Sequence, residues 1–363
     1  MFRYRDRQTA DSIVRKLETL KVNIRLMHVC GTQQDTIVKF GLDTIFQKIC
    51  VEMRQGPGCP ICITPPEEFQ EAIHLAEKGK RICVYGDALR VVALSGSLAD
   101  AKTRGLEIKV VYSIEDAVTM AKKDRKDTVF LALGFETTAP STAVTLLSEP
   151  PKNFFILNCH RYVPPALYAL LDLGEIHLDG LMEPGHVSTI IGCRPYEPIS
   201  EKYHIPQVIS GFEPLDILMS VYMLAMQIKN HEAKVENEYT RGVNYEGNSK
   251  ALKAIDAVFV PGDSSWRGFG TIPNSGMNLK GRFDEHDARR AFEDDLKNIP
   301  KISASVPTDC RCDEVLRGLI YPKECQLFGK ACTPEHPIGA CMVSLEGSCN
   351  IEHRYSSFSK RQG

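Results

Sequence analysis

The sequence predicts an α/β protein whose parallel sheets are assembled from βα units, followed by a cysteine-rich segment of different character. Three observations carry this. From residue 22 to about 230, short apolar, β-branched runs alternate with amphipathic stretches, the rhythm of strands joined by helices. At 363 residues the chain exceeds what one core sustains, so two or three domains are expected. Beyond about Pro300, Cys, Pro and Gly replace the strand and helix signals, and six of the thirteen cysteines (Cys310, Cys312, Cys325, Cys332, Cys341, Cys349) fall in the last 54 residues.

In chain order, the opening MFRYRDRQTADSIV is polar and lacks the apolar core of an export signal. A helix follows over 11–20, with Ile13, Leu17 and Leu20 on one face, expected to pack against the tail. Strands are predicted at 22–29, 80–86, 106–113, 128–134, 153–158 and 206–211. Helix 67–80 starts with acids and ends in Lys and Gly, as the helix dipole and a C-terminal stop favour. The more apolar helix 214–230 is expected to be largely buried. KKDRKD at 122–127 and the non-periodic stretch 231–247 are the expected boundaries. They divide the chain into domain I (22–125), domain II (126–240) and a cluster-binding domain of 1–21 with 241–363.

Composition narrows the function. The chain is 43% hydrophobic and 25% charged with a net charge of −2, which points to neither nucleic acid nor membrane. No apolar run approaches the ~20 residues that span a bilayer. So many thiols without an export signal imply a reducing, cytoplasmic setting in which they hold metal or do redox chemistry.

Four groups of residues carry candidate chemistry. Cys30 leaves a strand at a helix start, where dipole and amides should depress its pKa and favour thiolate; a small buried core cysteine is the competing reading. Cys59 and Cys62 form a CxxC in GPGCPICITPP, a spacing for a reversible disulfide; half a zinc site is disfavoured because no second CxxC is present. Glu136, Thr137 and Thr138 in GFETTAP, and Glu183 and His186 in LMEPGHVSTIIG, lie where strand ends meet helix starts, which suits small anions. Taken singly, a helix cap or a satisfied loop histidine explains them better. GFE recurs at 134–136 and 211–213, as expected of strand-end loops lining a cleft. The tail thiols fit an iron-sulfur cluster, with four-thiolate zinc as the alternative.

The ordered set Cys30-Gly31-Thr32, GPGCPIC, GFETTAP, PGHVSTIIG, GFEPLDIL and the tail from Asp309 to Cys349 resembles the HypD family of nickel-iron hydrogenase maturation factors, from about residue 22 to 352. The resemblance implies two α/β domains facing a cleft and a third holding a [4Fe-4S] cluster. It implies a scaffold on which iron acquires two cyanides and one carbon monoxide before delivery to the hydrogenase large subunit. Cys30 would hold that iron with the N-terminal cysteine of a small HypC-type partner, and Cys59 and Cys62 would be the dithiol/disulfide pair beside it. Cys325, Cys332, Cys349 and one of Cys310 or Cys312 would ligate the cluster. A HypE-type partner would donate cyanide from a C-terminal thiocyanate. Thr32, Glu136, Thr137, Thr138 and His186 would form the ligand environment.

One departure stands out. The family's first motif continues into a histidine where this chain has Gln33, and many members carry another where it has Asp35. Glutamine neither titrates nor readily binds iron. His28 shares the face of Cys30 in a continuing strand and would compensate. Other functional classes consistent with the residues are a stand-alone iron-sulfur disulfide reductase, a paralogue with different cargo, and a zinc-bearing adaptor.

Overall fold

The computed structural model describes residues 3–297, 299 and 309–359; Pro300, the expected start of the tail, lies outside them. Among the described residues the strands are β1 (Ile24–His28), β2 (Val51–Gln55), β3 (Arg81–Tyr85), β4 (Ile108–Val111), β5 (Thr128–Gly134), β6 (Phe154–His160), β7 (Gly180–Pro184), β8 (Gln207–Ser210), β9 (Val235–Asn237), β10 (Phe259–Trp266) and β11 (Gly270–Leu279). They form a five-stranded sheet, β2-β1-β7-β8-β9, a four-stranded sheet, β4-β3-β5-β6, and a β10-β11 pair. Every pairing in the two larger sheets is parallel; β10 and β11 are antiparallel. The expected parallel α/β class is therefore observed.

The central strands are covered on both faces, which is why they read as apolar runs. β5 is buried at every position. In β1, Leu26 joins one core with Ile13, Leu17 and Leu218, while Met27 joins another with Leu131, Leu181 and Ile209. β2 and β9 carry charged residues and β7 is GLMEP, so none presents an apolar run, and these three strands escape a reading based on runs.

The division of the chain differs from the one expected. β1 and β2 share a sheet with β7, β8 and β9, whereas β3 to β6 form the other sheet. The 125/126 boundary thus cuts between two members of one sheet. Local rhythm marks strands but not their partners, which long-range pairing selects. The charged stretch at 122–127 is a pinned turn: Arg81 pairs with Asp124, Lys80 with Asp127, and Asn153 Nδ2 donates to the carbonyls of Ala121, Asp124 and Lys126.

The N-terminal helix, Arg7–Leu20, is started by Asp6, whose carboxylate accepts from Thr9 N at 2.7 Å. Its Ile13 and Leu17 pack in the core that includes helix Pro214–Lys229, on the five-stranded sheet, and not against the tail as expected. The apolar residues of helix Pro214–Lys229 require that cover. Leu17→Ala should cost about 3 kcal/mol in chemical denaturation while leaving the reactivity of the tail thiols unchanged. A simultaneous rise in tail thiol reactivity would show that the helix supports both regions.

Residues 249–279 also depart from the expected cluster domain. Helix Ser249–Val258 and the β10-β11 pair place Ala254, Ile255, Val258, Phe259 and Met277 in one core with Phe130 and Ile156 of the four-stranded sheet. Among the described residues, no helix is long and apolar enough to cross a membrane.

Candidate functional site

Parallel pairing of β1 and β2 brings two chain exits side by side. His28 is level with Gln55, and Gly56 N donates to His28 O at 2.9 Å. The next turn lies directly on the β1 exit, since a Cβ at Gly58 would stand 2.3 Å from the Val29 carbonyl carbon and 2.4 Å from Cys30 N. Cys59 then opens the short helix Pro60–Ile63 and is joined to Cys62 by a disulfide. The tail closes the other side: a Cβ at Gly31 would meet Glu346 O at 2.4 Å. Cys62 Sγ lies 3.9 Å from the carbonyl of Ala340, which starts helix Ala340–Val343. Cys30, the CxxC and the cysteine-rich tail thus share one locality.

Cys30 occupies the cap position of helix Gly31–Lys39 and is 8% exposed. The expected depression of its pKa is overturned: burial pushes the thiol up to about 11, outweighing the backbone amides of Gln33 and Thr32 and the Thr32 hydroxyl, while Glu346 adds to the rise. A cation is what would hold this sulfur as thiolate.

All six tail cysteines line one small enclosed pocket, with Val315, Phe328 and Met342 as its apolar wall. Cys312 Sγ and Cys341 Sγ are 2.7 Å apart. Among the described residues, no three or more His, Cys, Asp or Glu side chains converge on one point as a single ion requires. The all-sulfur lining offers the donors that a four-iron cluster takes, one thiolate per iron around a cavity, and four-thiolate zinc draws on the same donors.

The third group lies at strand ends of both larger sheets, after β5 and at the end of β7. Glu136 and Glu183 are completely buried; Glu136 Oε1 accepts from Val163 N at 3.0 Å, but its Oε2 and both oxygens of Glu183 have no partner. Burial raises each carboxyl to about 8, and both act on the buried Tyr196, whose hydroxyl meets Ser188 Oγ at 3.1 Å. Thr138 holds the N-cap position of helix Ala139–Leu147 but makes no side-chain cap bond, its hydroxyl donating instead to the carbonyls of Leu133 and Phe135. Thr137 is exposed, and His186 is exposed and stacked on Phe212 at 3.8 Å. The two GFE segments follow β5 and β8 yet diverge, because Glu213 pairs with Arg5 at the surface.

The raised carboxyls predict a pH dependence with a definite sign. Glu183 is protonated when folded and ionised when unfolded between pH ~4.5 and ~8, so the folded state binds the extra proton and loses stability as pH rises through that window. Glu183→Gln should therefore gain stability relative to wild type between pH 5 and 8, by up to about 1.4 kcal/mol per pH unit. Equal differences at both pH values in urea denaturation would rule this titration out.

Gln33 is fully buried and bridges strand ends, its Nε2 donating to Glu183 O at 3.0 Å and Ser210 O at 3.3 Å. It braces the sheet and does not replace a titrating imidazole. His28 Nε2 donates to Gln34 Oε1 at 2.6 Å, its buried Nδ1 has no hydrogen-bond partner, and burial lowers its pKa to about 4, so the ring is neutral. Glu346 and Arg267, both packed at the thiol site, escape sequence reasoning because no local motif marks a residue that arrives from elsewhere in the chain. Cys341 was visible only as an extra thiol in the tail.

Comparison with known proteins agrees with these features. The family model described as HypD, hydrogenase formation hypA family, matches residues 6–356. A hydrogenase expression/formation protein of Methanocaldococcus jannaschii is 45% identical, over 98% of this chain and 99% of its own length. The hydrogenase maturation factors HypD of Escherichia coli and Cupriavidus necator are 41% and 39% identical, each over 92% of this chain and 89% of their own lengths. With a match of this extent and its cysteine motifs gathered at one site, the chain belongs to the HypD family of hydrogenase maturation factors.

Proposed function

We propose that this chain is the scaffold on which the iron of a nickel-iron hydrogenase site receives two cyanides and a carbon monoxide. The observation that carries the reading is the seating of the CxxC turn on the backbone of Cys30, through Gly58. Cys30 is the thiolate that holds the iron substrate, shared with a cysteine of a HypC-type partner; soft thiolate donors suit iron bearing strong-field carbon ligands.

Cyanide arrives as a thiocyanate on a HypE-type partner, and its transfer is a reduction. The carbon–sulfur bond breaks, the cyanide carbon bonds to iron, and the partner sulfur leaves as a thiol with one proton. The two electrons come from the Cys59/Cys62 dithiol, which closes to the disulfide and releases two protons, one to the departing sulfur and one to solvent. The disulfide that this step forms must be reduced again before the next. The same pair serves each cyanide in turn.

Cys325, Cys332, Cys349 and one of Cys310 or Cys312 would hold a [4Fe-4S] cluster. When bound, such a cluster supplies electrons one at a time. Around the iron substrate, Thr32, Glu136, Thr137, Thr138 and His186 form the ligand environment, with Glu136 in its neutral form at pH 7 and able to donate a hydrogen bond. The setting proposed is cytoplasmic.

The test is co-expression with HypC-type and HypE-type partners, anaerobic purification and infrared spectroscopy in the cyanide and carbonyl stretching region. Bands for both ligands are expected. Their absence from a sample whose partners bind and whose iron-sulfur centre is intact would favour a stand-alone disulfide reductase or a paralogue with other cargo. Zinc without iron or sulfide would favour an adaptor.

A further inference from the structure

Away from the thiols, two adjoining clefts of about 300 and 400 Å³ lie where β6 meets the β10-β11 pair, sharing Asn158, Asn278 and Arg289 as walls. The cation between them is already spent. Arg289 Nε donates to Glu71 at 2.8 Å, its Nη1 to Asn158 O at 2.7 Å and its Nη2 to Glu68 at 3.3 Å, while Arg161 Nη2 donates to Glu68 at 2.8 Å. Two cations and two carboxylates thus cancel within the fold. What faces the open space is acidic: Glu67, Asp263 and Asp284 are exposed, Asp287 is half-buried, and none has an ion-pair partner among the described residues. Glu293 is paired with Lys297 at 3.7 Å, which leaves Arg290 as the exposed cation of the lining.

A second feature of the cleft has direction as well as charge. His160 lines it and is only 3% exposed. Asn158 Nδ2 donates to Met277 O, which turns its Oδ1 toward His160, where it accepts from the backbone N at 3.3 Å and from the ring Nδ1 at 2.8 Å. The ring proton therefore sits on Nδ1, and Nε2 keeps a lone pair with no protein partner among the described residues. Burial and the charge of Arg161 lower this imidazole to about 3, so it remains an acceptor at neutral pH. A nearly buried acceptor left without a donor is costly, and a ligand N–H would remove that cost. An anion would meet lone pairs and like charge here; a cation rich in N–H meets its complement.

We propose that this acidic cleft docks a basic segment of a partner protein, seating a lysine or arginine side chain with its N–H groups toward His160 Nε2 and its charge among Glu67 and Asp263. The adjoining cleft, with Asp284 and Asp287, takes a second basic side chain of the same segment. Complementary charge draws the segment in, and the single imidazole acceptor distinguishes a donor-bearing cation from one without N–H.

The test uses the full chain and the fluorescence anisotropy of a labelled peptide, GKGGKG. Wild type should bind it, more weakly in high salt. Glu67→Gln combined with Asp284→Asn, one exposed acid from each cleft, should weaken binding about tenfold. Glu115→Gln combined with Glu149→Gln makes the same change of net charge outside the clefts and should leave binding unchanged. A trimethyllysine form of the peptide keeps the charge and loses the N–H donors, and should bind wild type about tenfold more weakly. That arm needs no variant, so it stands even if a substitution disturbs folding. Absence of binding to wild type, or an equal loss in the Glu115/Glu149 control, would overturn the site. Trimethyllysine bound as tightly as lysine would overturn the part given to His160. Spermidine that binds more tightly than the peptide and displaces it would assign the cleft to a free polyamine and overturn the docking of a protein segment.

Discussion

Cys30→Ala should abolish both cyanide and carbonyl infrared bands while leaving the iron-sulfur centre of the tail at wild-type content. The expectation follows from where the sulfur stands. Cys30 lies at the exit of β1, outside the pocket that the six tail cysteines line, so its loss would remove the proposed iron ligand without removing a wall of that pocket. Its methyl replacement is also small and apolar, suited to a position only 8% exposed. Parallel measurement of iron, sulfide and infrared intensity decides the matter. Collapse of the iron-sulfur content in this variant would mean that the two roles are not separable. Retention of full-strength bands would move the iron substrate to another ligand.

Gly58→Ala should be nearly as damaging, although it touches no thiol. The added Cβ would sit 2.3 Å from a backbone carbon and 2.4 Å from a backbone nitrogen of the β1 exit, and neither atom can rotate away. The turn must lift from Cys30, or β1 and β2 must part. Overpacking of this kind costs about 1–3 kcal/mol in stability. The larger effect should be on assembly: displacement of the dithiol by about 1 Å can cost on the order of 100-fold in rate. Stability by urea denaturation and cyanide incorporation by infrared spectroscopy separate the two. Normal incorporation in a destabilised protein would show that the dithiol need not lie so near Cys30. Gly41→Ala is the matched control, because a Cβ there meets nothing within 4 Å, although its φ of +67° carries its own strain.

Much of the site was visible before any fold was known, because thiol chemistry is carried by residue type and short spacing. The CxxC, the strand-to-helix position of Cys30 and the cysteine density of the tail each stand within a few consecutive residues. Their geometry was less accessible. Helix position argued for an acidic Cys30 thiol, and burial reversed it, since desolvation depends on Glu346 and the GPGC turn arriving from elsewhere in the chain. Gln33 and His28 illustrate the same limit: one reads only as a departure from a family histidine and the other as its compensation beside Cys30, yet Gln33 spans Glu183 and Ser210 and His28 Nε2 is held by Gln34.

The amino-acid sequence by itself determined the parallel α/β class, six of the strands, the two helices over 67–80 and 214–230, and the family to which the chain belongs. These rest on local periodicity, on strands buried on both faces, and on motifs whose residues are adjacent in the chain. Tertiary structure alone decided which strands share a sheet, so that β1 and β2 leave β3 to β6 to form a separate sheet and join β7, β8 and β9 instead. It also placed the N-terminal helix on helix Pro214–Lys229 and gave Glu136 and Glu183 their unusual acidity. Partner choice and desolvation are sums over atoms distant in sequence, and no window of consecutive residues contains them.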